Sequence, residues 1–381
     1  TYLLSKKRHK TKVTLKQSDL AHFISYIGRI VDSKPSLPVL GNILVEAQKD
    51  SLILTATNLE VSMQVTVPAE VSEKGVTTVP ARTFAEFVAT LQDDTVTLRL
   101  EGQILHVETK SSQSQFNTMN KDNFPTLPAP SGDPTLTIDG KTLKETLDLV
   151  NFSTGTDSSN PVFTGVYVNF EGDNLAFVSS DGFKLSRYIL KVDQKPESLP
   201  WIIPVKGLRE VSKLIDPESE EDVVTFHVVA KGKQILICYK NVNIYTRLID
   251  GEFPDYKAVI PKDYQSKAVL SFSAMKDALR QINIFARYIP GNHISLSMDK
   301  ETQSIVLEAT LSEVGSNKTV VPAKIEGDNL KLKFSSKILG DIFNVVADGE
   351  LTFEGKPDSA SVIKIDSYKD YIHVVMPLSV T

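Results

Sequence analysis

The sequence predicts an α+β protein built from three copies of one domain, each copy holding two strand-helix-hairpin units. Two observations carry that prediction. The same order of patterns occurs three times along the 381 residues. Within each occurrence the apolar spacing switches between a helical period and a period of two. The length agrees, because domains of roughly 100–200 residues would make two or three here.

The first copy opens with Val13-Thr14-Leu15 as a strand, then Ser18-Asp19 as a polar break. Leu20, Phe23, Ile24, Ile27 and Ile30 come next at helical spacing and form one buried stripe. Ser18 is the expected N-cap. Val61 to Val67 alternates apolar and polar residues and reads as a half-buried strand. A second unit runs from Val76 to Val79, through Pro80, into a helix carrying Phe84, Phe87, Val88 and Leu91. Pro80 suits a first helical turn, where no amide donor is needed. A hairpin of Val96–Leu100 and Ile104–Glu108 completes it.

The second copy repeats this order. Leu136-Thr137-Ile138 is the strand, and Leu143, Leu147 and Val150 form the helix stripe. Trp201-Ile202-Ile203 leads through Pro204 into Leu208, Val211, Leu214 and Ile215. Its hairpin pairs Val223–Ala230 with Gln234–Tyr239. In the third copy, Val269 to Phe272 precedes Ser273, the expected cap, and then Met275, Leu279, Ile282 and Phe285. Leu330–Phe334 and Ser335 precede Ile338, Leu339, Ile342 and Val345, with Leu351–Glu354 and Val362–Asp366 as the hairpin. Asn123-Phe124-Pro125 and Glu252 to Tyr256 end the first two copies. Pro125–Pro134 and Val259–Lys267 read as linkers. The expected domains are therefore 12–132, 133–257 and 258–381. Residues 1–11, with the basic run Lys6, Lys7, Arg8, His9 and Lys10, read as an extension without fixed structure.

Composition narrows the function. The net charge of −5 argues against a protein that grips nucleic acid with its whole surface, but leaves room for a local basic face. The single cysteine, Cys238, lies in the apolar run Ile235–Tyr239 and reads as a small core residue. It points to a reducing, cytoplasmic compartment. No apolar run is long enough to span a bilayer, so no membrane partner is expected.

Head-to-tail repeats either close into a ring or run on as a filament. A ring would turn one face of every domain toward its centre. Lys206, Arg209 and Lys213 share one side of a helix, as do Lys141 with Lys144 and Lys276 with Arg280. Arg82 and Lys337 stand near the starts of the remaining second-unit helices. Any one of these helices reads equally as a solvated face; the recurrence across copies carries the signal. Such faces would meet phosphates without reading bases.

The sequence has no GxxxxGK[ST] loop, GxGxxG, HExxH or GxSxG, and no zinc-ligand spacing. No catalytic residue, metal site or cofactor is expected. His106, His227 and His373 alternate with apolar residues and are expected on exposed strand faces. Two other readings stay open. One is a repeat-built binding scaffold with no DNA; the other is an α+β hydrolase whose carboxylates the sequence does not single out.

Several motifs nevertheless resemble one family. They are Pro35 to Ile43, Thr78 to Arg82, Ser180 to Leu185, Ile203 to Leu208, Asp250 to Tyr256 and Val374 to Leu378. In this order and spacing they resemble the bacterial DNA sliding clamp, the beta subunit of the DNA polymerase III holoenzyme, from about Lys12 to Thr381. The resemblance implies a non-catalytic processivity factor. It would be a head-to-tail homodimer around duplex DNA, with helices lining the ring and sheets outside. Its partners would be the polymerase catalytic subunit, a clamp loader and other proteins with a QLxLF-like motif. The motif would dock between the second and third domains. Position by position, the resemblance implies a cleft of Phe163, Ser180, Gly182, Phe183, Lys184, Leu185, Pro254, Ala258, Val259, Ser361, Val375, Met376, Pro377 and Leu378. It places Lys34 at a basic pore-side loop; Ile284 and Phe285 are candidates for the dimer seam, with a core role as the alternative. The family usually has Arg where Lys184 stands, often a basic residue at Ala258, and commonly one at Ser379. Those departures bear on motif preference.

Overall fold

The computed structural model describes residues 10–195, 198–219, 221–313, 315–345 and 349–378. The expected extension falls mostly outside them, at 1–9, but Lys10 and Thr11 belong to the strand Lys10–Lys16. The reading of 10–11 as unstructured is therefore corrected: the β-branched alternation of Thr11 and Val13 continues a ladder with Thr95–Glu101.

Six α-helices lie among the described residues: α1 (Gln17–Ile27), α2 (Ala81–Thr90), α3 (Gly140–Asn151), α4 (Val205–Leu214), α5 (Phe272–Ala286) and α6 (Ser336–Gly340). They fall where the apolar stripes predict. Leu20, Ile24 and Ile27 of α1, Leu143, Leu147 and Val150 of α3, and Met275, Leu279 and Ile282 of α5 are all buried. No helix among the described residues is long and apolar enough to cross a membrane.

The chain folds as two compact units, residues 1–139 with 219–247, and residues 140–218 with 248–381. The first holds an antiparallel sheet of five strands and one of eight. In the larger, Val242–Arg247 pairs with Val61–Pro68, so a strand of the second expected domain extends a sheet of the first. The second unit holds a twelve-stranded sheet. There, Lys184–Lys191 pairs with Tyr371–Val375, joining strands of the second and third expected domains. Both junctions use antiparallel pairing of strands that hold equivalent places in their copies. Each satisfies a row of backbone donors and acceptors that would otherwise be an exposed edge.

Several local expectations change. The N-cap of α1 is Lys16, and Ser18 lies inside the helix. The cap of α5 is Ser271, whose hydroxyl accepts from the Ala274 amide at 3.3 Å; Ser273 is one residue into the helix. Pro80 and Pro204 end their strands and cap α2 and α4 from just outside. The stripe from Ile338 to Val345 is broken: α6 is five residues long and passes into a 3-10 turn at Asp341–Asn344. The expected linker Val259–Lys267 ends in the strand Ser266–Ser271. In the Pro125–Pro134 stretch, Leu127 packs against Val229, Leu236 and Tyr245. Cys238 is half-buried, and burial raises its thiol pKa.

Candidate functional site

An apolar cleft of about 150 Å³ opens on one face of the twelve-stranded sheet. A hairpin turn builds one lip. The Asp181 carboxylate accepts from the amides of Phe183 and Lys184, each at 2.9 Å. The Ser180 hydroxyl accepts from Gly182 N at 3.1 Å and donates to Lys184 O at 2.8 Å. Gly182 has φ +90°, a left-handed conformation that favours glycine. This geometry holds Phe183 out, 60% exposed. Met376 N donates to Phe183 O at 2.9 Å, which fastens the turn to the C-terminal segment.

The opposite wall is aromatic. Phe253 stacks on Tyr167 at 4.9 Å and meets Phe163 edge-on at 5.9 Å. Tyr256 donates to Glu171 at 2.9 Å, and burial together with that carboxylate raises its pKa. Asp255 accepts from Lys257 N and opens the short turn Tyr256–Val259.

Phe163, Ser180, Gly182, Phe183, Lys184, Leu185, Pro254, Val259 and Met376 all come together around this cleft. Five expected residues do not line it. Val375 is fully buried on the other face of the sheet, opposite Ser361, which is also fully buried. Val374 lines the cleft instead. A period of two from Met376 selects Val374 over Val375, so the alternation was available in the sequence. Ala258 is exposed but off the lining. Pro377 and Leu378 border an adjoining hollow of about 240 Å³, which also touches Met376. Sequence reasoning missed Phe253, Asp255 and Tyr256, although all three lie in the quoted Asp250 to Tyr256 motif.

Lys184 borders the cleft, but its side chain leaves it. Alternation along Lys184–Lys191 puts Leu185 with the cleft core and Lys184 on the opposite face with Ser186. Its side chain is 8% exposed, and its ammonium is hydrogen-bonded to Asp341 and lies 3.6 Å from Asp181. Beside it, Ser186 Oγ lies 3.0 Å from Tyr371 Oη, 3.0 Å from His373 Nδ1 and 2.7 Å from Ser153 Oγ. His373 is thus fully buried, which corrects its expected exposure. Burial, then the Lys184 charge, pushes its pKa down to about 3. His106 and His227 are partly buried.

Of the expected basic residues, Lys34, Arg82, Lys141, Lys206, Arg209, Lys213 and Arg280 are exposed. Some carry partners: Arg82 pairs with Glu86 at 3.0 Å and Lys213 with Glu210 at 2.6 Å. Lys144 is turned inward, bonding Asp148 at 3.1 Å and Ser212 O at 3.3 Å, so it braces α3 on α4. Between α5 and α6, Lys276, Arg280, Arg287 and Lys337 border a groove of about 600 Å³. Its one carboxylate, Asp341, is the partner of Lys184. Ile284 is 52% exposed; Phe285 is partly buried against the core.

Known proteins share this fold. A sliding clamp from Bacillus subtilis superposes with TM-score 0.91 at 23% identity, over 97% of this chain and all of that one. The beta subunit of DNA polymerase III from Thermotoga maritima gives 0.88 at 25% identity, with 97% and 100% covered. A Bartonella birtlesii sliding clamp, solved bound to griselimycin, gives 0.90 at 23%, with 98% and 100% covered. The architecture is therefore that of the sliding clamps, α+β with three clamp domains. In sequence, the N-terminal, central and C-terminal domains of the DNA polymerase III beta subunit match residues 11–128, 137–255 and 257–379. The beta sliding clamp of Staphylococcus epidermidis is 28% identical over 352 residues, 90% of this chain and 92% of that protein. The chain belongs to the family of bacterial DNA polymerase III beta sliding clamps. It is a non-catalytic processivity factor of DNA replication.

Proposed function

We propose that two copies close head to tail into a ring around duplex DNA, and that the cleft docks short linear motifs of partner proteins. The carrying observation is the use of strand edges. Two junctions between expected domains are closed by antiparallel pairs: Val242–Arg247 with Val61–Pro68, and Tyr371–Val375 with Lys184–Lys191. By the same repeat logic, one pair of equivalent edges remains. It is Gln113–Asn117 in the first domain and residues 315–322 of Gly315–Gly327 in the third. Each pairs on one side only within its sheet: Gln113–Asn117 with Ile104–Glu108, and 315–322 with Ser304–Leu311. Pairing them between copies repeats the same junction and leaves no edge of this kind open. Val320, Ile284 and Tyr288, each more than half exposed, lie in or near the third domain's edge and would be covered there.

On this reading the domains are 12–132, 133–257 and 258–381. Helices line the ring and sheets form its wall. Lys34, Arg82, Lys141, Lys206, Arg209, Lys213 and Arg280 face the phosphates, giving weak, salt-sensitive contact without base readout. The partners are the polymerase catalytic subunit, a clamp loader and other carriers of a QLxLF-like motif, in the cytoplasm at the nucleoid. The cleft's apolar walls suit leucine and aromatic anchors, and Met376 adapts between ligands.

Light scattering over a dilution series, followed by loading on nicked circular and linear DNA, tests the proposal. A dimer retained on circles but lost from linear ends is the expected result. A monomer at every concentration, without topological retention, overturns it.

A further inference from the structure

The peptide cleft and the hollow beside it meet at Met376 and carry opposite charge. In the cleft itself, Asp255 is an exposed carboxylate; Lys257, outside the lining, lies 5.9 Å from the Tyr256 ring centroid. The Lys184 ammonium is turned to the other face of the sheet and committed to Asp341. Beyond Met376, the second hollow is bordered by Lys331 and Lys333, set against one carboxylate, Asp358. Both lysines are exposed, and neither forms an ion pair among the described residues. The strand that carries them is tied to the chain end, because Leu378 N donates to Lys333 O at 2.8 Å.

We infer that this surface selects peptides by the order of their charges: apolar anchors fill the cleft, an acidic flank passes over Met376 onto Lys331 and Lys333, and the flank beside Asp255 is neutral or basic. The inference rests on the peptide-docking reading of the cleft and adds a polarity to it. Apolar burial supplies most of the affinity. The rim charges reject the reversed order, because a carboxylate beside Asp255 is repelled and leaves both lysines without a partner. These groups are solvated, so each end contributes modestly and the preference fades with salt.

The test uses the full-length protein and fluorescent peptides with identical leucine and phenylalanine anchors. One peptide has uncharged flanks. Two others carry a pair of aspartates on either the N-terminal or the C-terminal flank. At low salt, one aspartate isomer is expected to bind about threefold more tightly than the uncharged peptide, and the other more weakly by a similar factor. Lys331→Gln with Lys333→Gln should erase the gain. Asp255→Asn, which keeps an N-cap side chain, should erase the penalty. If the uncharged peptide binds and both aspartate isomers bind equally well, the charge-order inference is overturned and the cleft reading stands. If no peptide binds, including the uncharged one, the cleft reading fails and this inference fails with it.

Discussion

Lys184 and His373 lie on neighbouring strands and share one face of the sheet, where both are buried. The ammonium depends on Asp341, but Asp341 depends less on the ammonium, because its side chain is 27% exposed. Asp341→Asn therefore leaves the buried charge with only the longer contact to Asp181, at 3.6 Å, and should cost about 2 kcal/mol. Lys184→Met keeps the packing of the stem and lets Asp341 regain water, and should cost no more than about 1 kcal/mol. Urea-denaturation midpoints rank the two variants; the reverse order would refute the ion-pair account. His373 gives a signed pH effect. Its folded pKa of about 3 lies below the ordinary 6.5, so the unfolded chain takes up the proton first. The full contribution is present above pH 6.5 and declines as pH falls toward 3, by up to about 1.4 kcal/mol per unit. His373→Leu should flatten the dependence of stability on pH across that window by up to one proton. Denaturation midpoints taken along a pH series read that slope directly.

Helix caps and turn tips are where the elements depart from their sequence pattern. A cap needs extended backbone before the first helical residue, and Ser271 has it, at φ −67° and ψ 129°. The apolar pattern locates this start only to within a residue or two, so it named Ser273. Ser271→Ala should cost about 1 kcal/mol, whereas Ser273→Ala should stay within about 0.5 kcal/mol. Thermal melts of the two variants distinguish the assignments. Phe183 offers a second test at this scale. It is 60% exposed at a turn held by Asp181 and Gly182, so its role is not in the core. Phe183→Ala should change stability by less than about 0.5 kcal/mol while weakening anchor-peptide binding about tenfold. A large loss of stability with unchanged binding would count against the cleft.

At the scale of the whole molecule, the repeat governs assembly. Three copies with equivalent strands offer three equivalent junctions, and two of them are made within one chain. On the proposed ring, the third is made with a second copy. Ile284→Asp combined with Val320→Asp would place charge on that apolar edge and should convert the dimer to monomers at micromolar concentration, as read by sedimentation. Each monomer should stay folded, because both side chains are more than half exposed. A dimer that survives both substitutions would place the seam elsewhere.

The sequence by itself determined the three-fold repeat, the helix stripes and the Ser180 to Leu185 turn, because each depends on periodicity or on residues close in the chain. Family resemblance added most of the cleft, by naming residues that periodicity alone could not bring together. Only the tertiary structure decided which way side chains face once strands from distant segments pair. Ser361 looked like a cleft residue until pairing with the C-terminal strand put its side chain on the other face. His373 looked exposed until Ser186, Tyr371 and Phe152 closed around it. Lys144 looked like a solvated cation until α4 brought Ser212 within reach. In each case the deciding neighbours, such as Ser186 and Phe152 for His373 and Ser212 for Lys144, come from far along the chain, and local patterning carries no record of them.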